Sequence, residues 1–134
     1  MELKKRINGF CQLKIKNCIM DEGLGKRIFD FAINVIKYCR KLDHSKGNDV
    51  ISYQLIKAST SSGANYEEAQ SASSRADFKN KINISLREMR ESNYWLRIIE
   101  ALDEGNNELK FLINESEELK KILGSISSKI SPGN

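Results

Sequence analysis

The 134-residue sequence has only one histidine, one proline and one tryptophan, and three cysteines. A single histidine excludes metal sites built on several histidines, a two-histidine phosphotransfer centre and the zinc motif H-E-x-x-H. The Walker A loop and the G-x-G-x-x-G motif, two common glycine-rich phosphate cradles, are also absent. No apolar run reaches the ~18 residues that a membrane-spanning helix needs. We therefore expect no metal, no cofactor and no membrane partner.

The cysteines are Cys11, Cys18 and Cys39, and their odd number and spacing fit neither a zinc ribbon nor a disulfide framework. Reduced thiols and a cytoplasmic location are expected. A metal site that joins the three thiols to His44 stays open as an alternative. His44 lies in a polar, turn-like stretch, residues 41–47, so a solvated loop histidine is the predicted role.

Catalysis is not predicted. Small helical RNases of the higher eukaryote and prokaryote nucleotide-binding class carry an Arg-x4–6-His motif. Here only three residues separate Arg40 from His44, so the motif is not matched. The carboxylates of the sequence motifs have no catalytic base, metal site or nucleotide-binding loop associated with them that would define a reaction. The sequence therefore predicts a protein that is not an enzyme.

The positive charge is concentrated at the N-terminus. Residues 1–20 hold five basic residues and one acidic residue, whereas residues 21–134 hold 17 of each, and the net charge is +4. Apolar residues recur there at helical spacing, which predicts a short amphipathic helix that contacts nucleic-acid phosphates or an anionic surface. A frayed tail, or a stretch upstream of a true start at Met20, is the alternative. The candidate phosphate contacts are Lys4, Lys5, Arg6, Lys14 and Lys16.

Apolar residues at three- and four-residue steps predict four helices, over about 24–42, 49–72, 75–104 and 108–130. Asn48 or Asp49 is the predicted N-cap of the second, and Ser74 with Asp77 resembles a capping box for the third. Because the connections are short and no strand pattern competes, we predict an all-α, antiparallel up-and-down four-helix bundle. It spans residues 21–130, between the 1–20 leader and a 131–134 tail.

The second helix is predicted although residues 59–63 resemble a loop by propensity. Small residues recur at steps of three and four along it and form one stripe, which lets a neighbouring helix approach closely. This stripe consists of Ala58, Ser62, Asn65, Ala69 and Ala72.

The third helix has an apolar arc wider than one core face requires. One edge consists of Phe78, Ile82, Met89 and Leu96, and the other of Ile84, Trp95, Ile99 and Leu102. Deep burial in one bundle explains the width, and so does contact with a second subunit. The remaining side is basic and is a candidate phosphate-binding stripe, with a solvated face as the alternative. The stripe consists of Arg75, Lys79, Arg90 and Arg97.

Three separated motifs resemble a known family. The pattern Q-L-x-x-A-x-x-S-x-G-A-N-x-x-E-A begins at Gln54, S-x-x-D-F at Ser74 and E-S-x-Y-W-L at Glu91. In this order they resemble the bacterial four-helix-bundle proteins encoded in intervening sequences of 23S ribosomal RNA genes, over about residues 28–126. The resemblance implies an antiparallel four-helix bundle, often a homopentamer, and no established activity.

The same resemblance implies kinship with accessory proteins of diversity-generating retroelements, which are basic pentameric barrels that bind nucleic acid and a reverse transcriptase. This chain departs from them because residues 21–134 carry no net charge.

The motif residues have a predicted structural role. Gly63, Ala64 and Asn65 are expected at the closest helix contact, and Asn65 with Glu67 or Glu68 in a buried polar network whose partners are Glu91, Ser92 and Tyr94. The residues assigned to this structural motif are Ala58, Ser62, Gly63, Ala64, Asn65, Glu68, Asp77, Phe78, Glu91, Tyr94 and Trp95.

Two functional hypotheses follow. The first is a non-enzymatic homo-oligomeric scaffold, pentameric by the resemblance, that binds RNA or DNA through phosphates and can also bind a nucleic-acid enzyme such as a reverse transcriptase. The alternative is an oligomeric bundle that binds protein and has no nucleic-acid role.

Overall fold

The computed structural model describes residues 23–102 and 106–130, and these form four α-helices. They are α1 (Leu24–Arg40), α2 (Lys46–Gln70), α3 (Arg75–Leu102) and α4 (Asn107–Lys129). Each helix packs against the next, and α4 returns to pack against α1. No strand occurs in the described ranges. The predicted up-and-down four-helix bundle is confirmed.

Each helix forms because its apolar residues recur on one face. On α1, for example, Leu24, Ile28, Phe31 and Val35 are at most 1% exposed, and they follow one another at three- and four-residue steps. All four helices contribute to a single core. Its largest fully buried side chains are Phe31, Phe78, Leu24, Ile28, Leu55, Ile82, Met89, Leu96, Leu109, Leu112, Leu119 and Leu123.

The start of α2 corrects the predicted cap. Ser45, not Asn48 or Asp49, is the N-cap: its backbone is extended and its hydroxyl accepts the Asn48 backbone N–H at 3.0 Å. The Asn48 side chain instead donates to the carbonyl of Asp43 at 2.9 Å, which closes the preceding loop. A serine in extended conformation satisfies a free N–H of the first turn, so the helix begins earlier than predicted.

The start of α3 bears out the predicted capping box in a shifted form. The Ser74 hydroxyl accepts the Asp77 backbone N–H at 3.0 Å, and the Asp77 carboxylate accepts the Ser73 N–H at 3.1 Å. The carboxylate therefore reaches the residue before the cap instead of the cap itself. At α4, the Asn106 side chain accepts the Leu109 N–H at 2.8 Å.

The small-residue stripe of α2 is confirmed except at two positions. Ala58, Ser62 and Ala69 are at most 1% exposed. Ala72 is also 1% exposed, but α2 ends at Gln70 and not at residue 72 as predicted, so Ala72 is buried in the connection that follows. Asn65 is only half-buried and donates within its own helix, to the Ser61 carbonyl at 2.9 Å. The stripe lets α2 lie close to α3, where the hydroxyl oxygens of Ser62 and Ser85 are 3.1 Å apart.

The two edges of the α3 apolar arc have different surroundings. Phe78, Ile82, Met89 and Leu96, which form the first edge, are fully buried. On the second edge, Ile99 is 4% exposed, Ile84 and Trp95 are half-buried, and Leu102 is 71% exposed. Burial in one bundle therefore accounts for most of the arc but not for its C-terminal end. None of the four described helices has a stretch suited to crossing a lipid bilayer.

Candidate nucleic-acid interface

The predicted basic stripe on α3 is only partly available to a ligand. Lys79 is half-buried, and its ammonium donates to the carbonyl of Ile130 at 3.1 Å, which satisfies a backbone group at the end of α4. Arg97 is exposed, yet its Nε donates to the Asn93 side chain at 2.9 Å. Arg75 is half-buried, and Arg90 is exposed. The ends of Arg90 and Arg97 are thus the parts of the stripe that a phosphate can approach.

The E-S-x-Y-W-L motif builds an aromatic surface beside Arg97. The Trp95 indole N–H donates to the Glu91 carboxylate at 3.2 Å, one turn earlier on α3. Tyr94 packs edge-on against Trp95 with ring centroids 5.2 Å apart, and the Arg97 guanidinium carbon lies 5.9 Å from the Tyr94 centroid. Because Tyr94 is 48% exposed, its ring and the guanidinium together face solvent.

The predicted buried network of Asn65 and Glu67 or Glu68, with Glu91, Ser92 and Tyr94 as partners, is wrong. Only Ser92 among them is buried, and its hydroxyl donates within α3, to the Glu88 carbonyl at 3.0 Å. Both glutamates of α2 are exposed, because an unpaired carboxylate is costly to bury. Ala64 is exposed as well, and a Cβ on Gly63 would make only ordinary contact with Ile28, at 3.5 Å. A close contact between α2 and α3 is found instead at Ser62 and Ser85, whose hydroxyl oxygens are 3.1 Å apart.

Asn93 is a buried polar residue that the sequence analysis did not predict, as are Ser85 and Ser116. It is 1% exposed, and its amide donates to the Ser116 hydroxyl of α4 at 2.9 Å while its oxygen accepts from Arg97. It stands at an unspecified position of the E-S-x-Y-W-L motif. Among the described residues, no buried side-chain nitrogen or oxygen lacks a hydrogen-bond partner.

Within residues 23–102 and 106–130, Glu88 and Cys39 have shifted pKa values. Burial raises the pKa of the Glu88 carboxyl, and the neighbouring charge of Glu91 adds to the rise, while Arg87 and Lys57 oppose it. Burial also raises the pKa of the Cys39 thiol, against a hydrogen bond with Ser52. Cys39 is therefore protonated at neutral pH, which is unsuited to nucleophilic attack.

His44 is a solvated loop histidine, as predicted. Its side chain is 96% exposed, and its Nδ1 lies 3.2 Å from the Asp49 carboxylate. Cys11 and Cys18 lie outside the described residues. Within the part of the chain that the structure describes, no three His, Cys, Asp or Glu side chains are grouped to hold a metal ion.

The five leader candidates, Lys4, Lys5, Arg6, Lys14 and Lys16, also lie outside the described residues. The described surface carries large apolar side chains that the bundle itself does not cover. Those at least 37% exposed are Phe29, Ile33, Val50, Tyr53, Tyr94, Leu102 and Phe111.

Comparisons with known proteins agree on one family. The family model described as 23S rRNA-intervening sequence protein matches residues 24–125. A crystal structure from Bacteroides thetaiotaomicron, of a protein with unknown function from the S23 ribosomal protein family, superposes with a TM-score of 0.72 at 34% sequence identity. That match covers 79% of this chain and 99% of the other. No curated protein matches the chain.

Proposed function

Because the chain belongs to the 23S rRNA-intervening sequence protein family, we propose that it is a homo-oligomeric four-helix scaffold that binds nucleic acid through phosphate contacts. Neither the family nor the solved relative is described as an enzyme, and the proposed role requires no catalytic step. The scaffold contacts the phosphate backbone of RNA or DNA and not the base edges, so it shows little sequence preference.

The observation that carries this proposal is the separation of charge along the chain. Residues 1–20 hold the whole net charge of +4, directly before the bundle. On the bundle itself, Arg90 and Arg97 add exposed guanidinium groups to α3. In an oligomer, each copy contributes its own leader, so the positive charges sum and the local potential that attracts a polyanion increases.

The test is fluorescence anisotropy of labelled single-stranded RNA and DNA with the full chain, from low to moderate salt. We expect the logarithm of the association constant to fall linearly with the logarithm of the salt concentration. If all five leader cations contact phosphates, their part of the slope is about −3.5. A full-length variant with Lys4, Lys5, Arg6, Lys14 and Lys16 changed to glutamine should lose that part of the slope.

The control for this measurement is a variant with the same number of substitutions, made on the bundle instead of the leader. It changes Lys46, Lys57, Lys81, Lys110 and Lys121, none of which is among the candidate residues, to glutamine. An equal loss of slope in the control and the leader variant would show that total charge, not the leader, sets the affinity. Absence of binding by the unmodified chain at low salt would overturn the proposal.

Oligomerisation is supported by the exposed apolar residues of α2 and α3. Tyr53 stands nine residues before Ser62, and Tyr94 nine residues after Ser85. Since Ser62 and Ser85 face each other across antiparallel helices, the two tyrosines lie at the same level of the bundle. They are 65% and 48% exposed, and Val50 is 53% exposed. Because nine residues correspond to about half a turn beyond two full turns, each tyrosine lies on the side of its helix away from the Ser62–Ser85 contact. Tyr53 and Tyr94 therefore belong to two separate exposed surfaces, each of which offers an apolar side chain to a second copy.

We expect the Tyr53→Lys/Tyr94→Lys variant to have a lower molecular mass in solution than the unmodified chain, because it places one charge on each of the two exposed surfaces proposed for contact between copies. Light scattering coupled to size-exclusion chromatography measures this directly. The matched control is Asn80→Lys, which adds a charge at an exposed position of α3. A mass equal to one chain for the unmodified protein would refute oligomerisation. An oligomer that binds no nucleic acid would favour the alternative, a protein-binding bundle.

A further inference from the structure

A cleft between the end of α1 and the start of α4 combines positive charge with an exposed aromatic ring. This α1–α4 cleft has a volume of about 520 Å³, and its lining includes Asn34, Lys37, Arg40, Lys41, Glu108 and Phe111. We propose that it binds single-stranded nucleic acid, with one base stacked on Phe111 and the adjacent phosphates held by Lys37 and Arg40. The inference rests on the proposed function and gives it a site on the bundle.

The charges of the cleft leave two cations available. Its one carboxylate, Glu108, is held by Lys41, whose ammonium lies 3.0 Å from one carboxylate oxygen and 3.3 Å from the other. Lys37 and Arg40 are exposed, and neither forms an ion pair or a side-chain hydrogen bond within residues 23–102 and 106–130. A bound phosphate therefore displaces no existing partner of either side chain.

The helix dipole of α1 favours cations in its last turn, but it does not account for the phenylalanine among them. Phe111 is 57% exposed, whereas its neighbours on the core face of α4, Leu109 and Leu112, are fully buried. An aromatic ring that faces solvent within a basic groove is the arrangement that single-strand-binding proteins use, because every base has a face that can stack.

The comparison with Phe29 separates this arrangement from an ordinary apolar groove. Phe29 is also 57% exposed, but it lies in a groove between α1 and α2 that has apolar and small side chains, one glutamate and no cation in its lining. A polyanion gains nothing there. The same exposed ring is thus found in two settings, and only the one at Phe111 has the charge that a nucleic-acid backbone requires.

The α1–α4 cleft is held in place by ion pairs along the same helix seam. Near the N-terminus of α1, the Arg27 guanidinium makes two hydrogen bonds to the Glu115 carboxylate of α4, at 2.7 and 3.1 Å. Just after the C-terminus of α1, Lys41 is paired with Glu108. A preformed groove lowers the ordering cost of binding. A single strand can present an unstacked base to Phe111, whereas a duplex keeps its bases stacked and paired.

The test uses the full chain and three fluorescein-labelled probes of equal length: oligo(U), oligo(dT) and a DNA duplex. We expect Phe111→Ala to weaken binding of both single strands by about fivefold or more and to leave duplex binding unchanged. Phe111→Trp should retain single-strand affinity. Phe29→Ala, at a ring of equal exposure, should change neither. RNA and DNA respond alike, because the two contacts do not involve the 2′-hydroxyl.

The cations are tested by the salt dependence of the same assay. Lys37→Gln/Arg40→Gln should reduce the slope of the logarithmic salt plot by about 1.4, the value for two phosphate contacts on a single strand. The control is Lys46→Gln/Lys121→Gln, at two exposed lysines that are not part of the cleft lining. The unmodified chain could bind in a salt-dependent way while Phe111→Ala and Lys37→Gln/Arg40→Gln change the binding no more than their controls do. That result would overturn this site and leave the proposed function intact. No binding by the unmodified chain would overturn both.

Discussion

Replacing Ser85 with leucine is expected to lower the free energy of unfolding by about 3 kcal/mol or more. The substitution acts where Ser62 of α2 and Ser85 of α3 are hydrogen-bonded to each other's backbone. Ser62 and Ser85 are both fully buried there. Each hydroxyl donates to the other residue's backbone carbonyl at 2.8 Å.

The large effect follows from the reciprocal bonds. A serine hydroxyl is short, so two hydroxyls can each reach the opposite backbone only if the helices are very close. A leucine has no room in that space unless the helices separate, and separation also disrupts the neighbouring core. It also removes the Ser85 hydroxyl, so the buried Ser62 residue loses the hydrogen bond that this hydroxyl donates to its backbone carbonyl.

Urea unfolding followed by circular dichroism measures the change. Ser128→Leu, at an exposed serine of α4, is the matched control and should cost little. Ser85→Ala removes the hydroxyl without adding volume and should cost about 1 kcal/mol. If Ser85→Leu were no more destabilising than Ser85→Ala, the contact would be looser than the distances indicate.

Local periodicity was sufficient to predict the fold because each helix carries its own buried face. Phe78, Ile82, Met89 and Leu96 recur at helical steps, and all four are fully buried as predicted. The small-residue stripe of α2 was also recognisable, although residues 59–63 favour a loop by propensity. Packing against α3 outweighs that propensity, as tertiary contacts commonly do.

The candidate interface was less predictable because its charges have partners elsewhere in the chain. Lys79 has no acidic residue one turn away, which suggested a free cation, but its partner is the backbone carbonyl of Ile130 on another element. No count of charges along α3 reveals such a bond. Lys37 and Phe111 line the same cleft only because of the way α1 and α4 pack. The periodicity of either helix does not determine that packing.

The buried polar contacts were misassigned for a related reason. The predicted polar network was built on Asn65 and Glu68, because both residues match fixed positions of the family pattern. Asn93 occupies a position where that pattern has no fixed residue, yet its buried side chain is hydrogen-bonded from α3 to Ser116 of α4. A helical wheel gives the direction of a side chain but not whether a hydrogen-bond partner stands opposite. Only the antiparallel pairing with α4 places Ser116 there.

Replacing Asn93 with alanine is expected to destabilise the protein by about 2 to 3 kcal/mol. The asparagine is 1% exposed, so its removal leaves a small cavity as well as a lost hydrogen bond. Asn80→Ala is the matched control on the exposed side of α3 and should change the stability by no more than a few tenths of a kcal/mol.

A double-mutant cycle separates the hydrogen bond from the cavity. Ser116 also donates to the carbonyl of Ile113 at 2.8 Å, so it keeps one bond when Asn93 is removed. Ser116→Ala should therefore cost about 1 kcal/mol alone, and less in a chain that already carries Asn93→Ala. Strictly additive effects would show that the 2.9 Å contact contributes no coupling between α3 and α4. A coupling would show that the Asn93 hydrogen bond to Ser116 stabilises the packing of α3 on α4. Because Asn93 also accepts a hydrogen bond from Arg97, the same side chain then supports both the core and the position of the exposed guanidinium beside Tyr94.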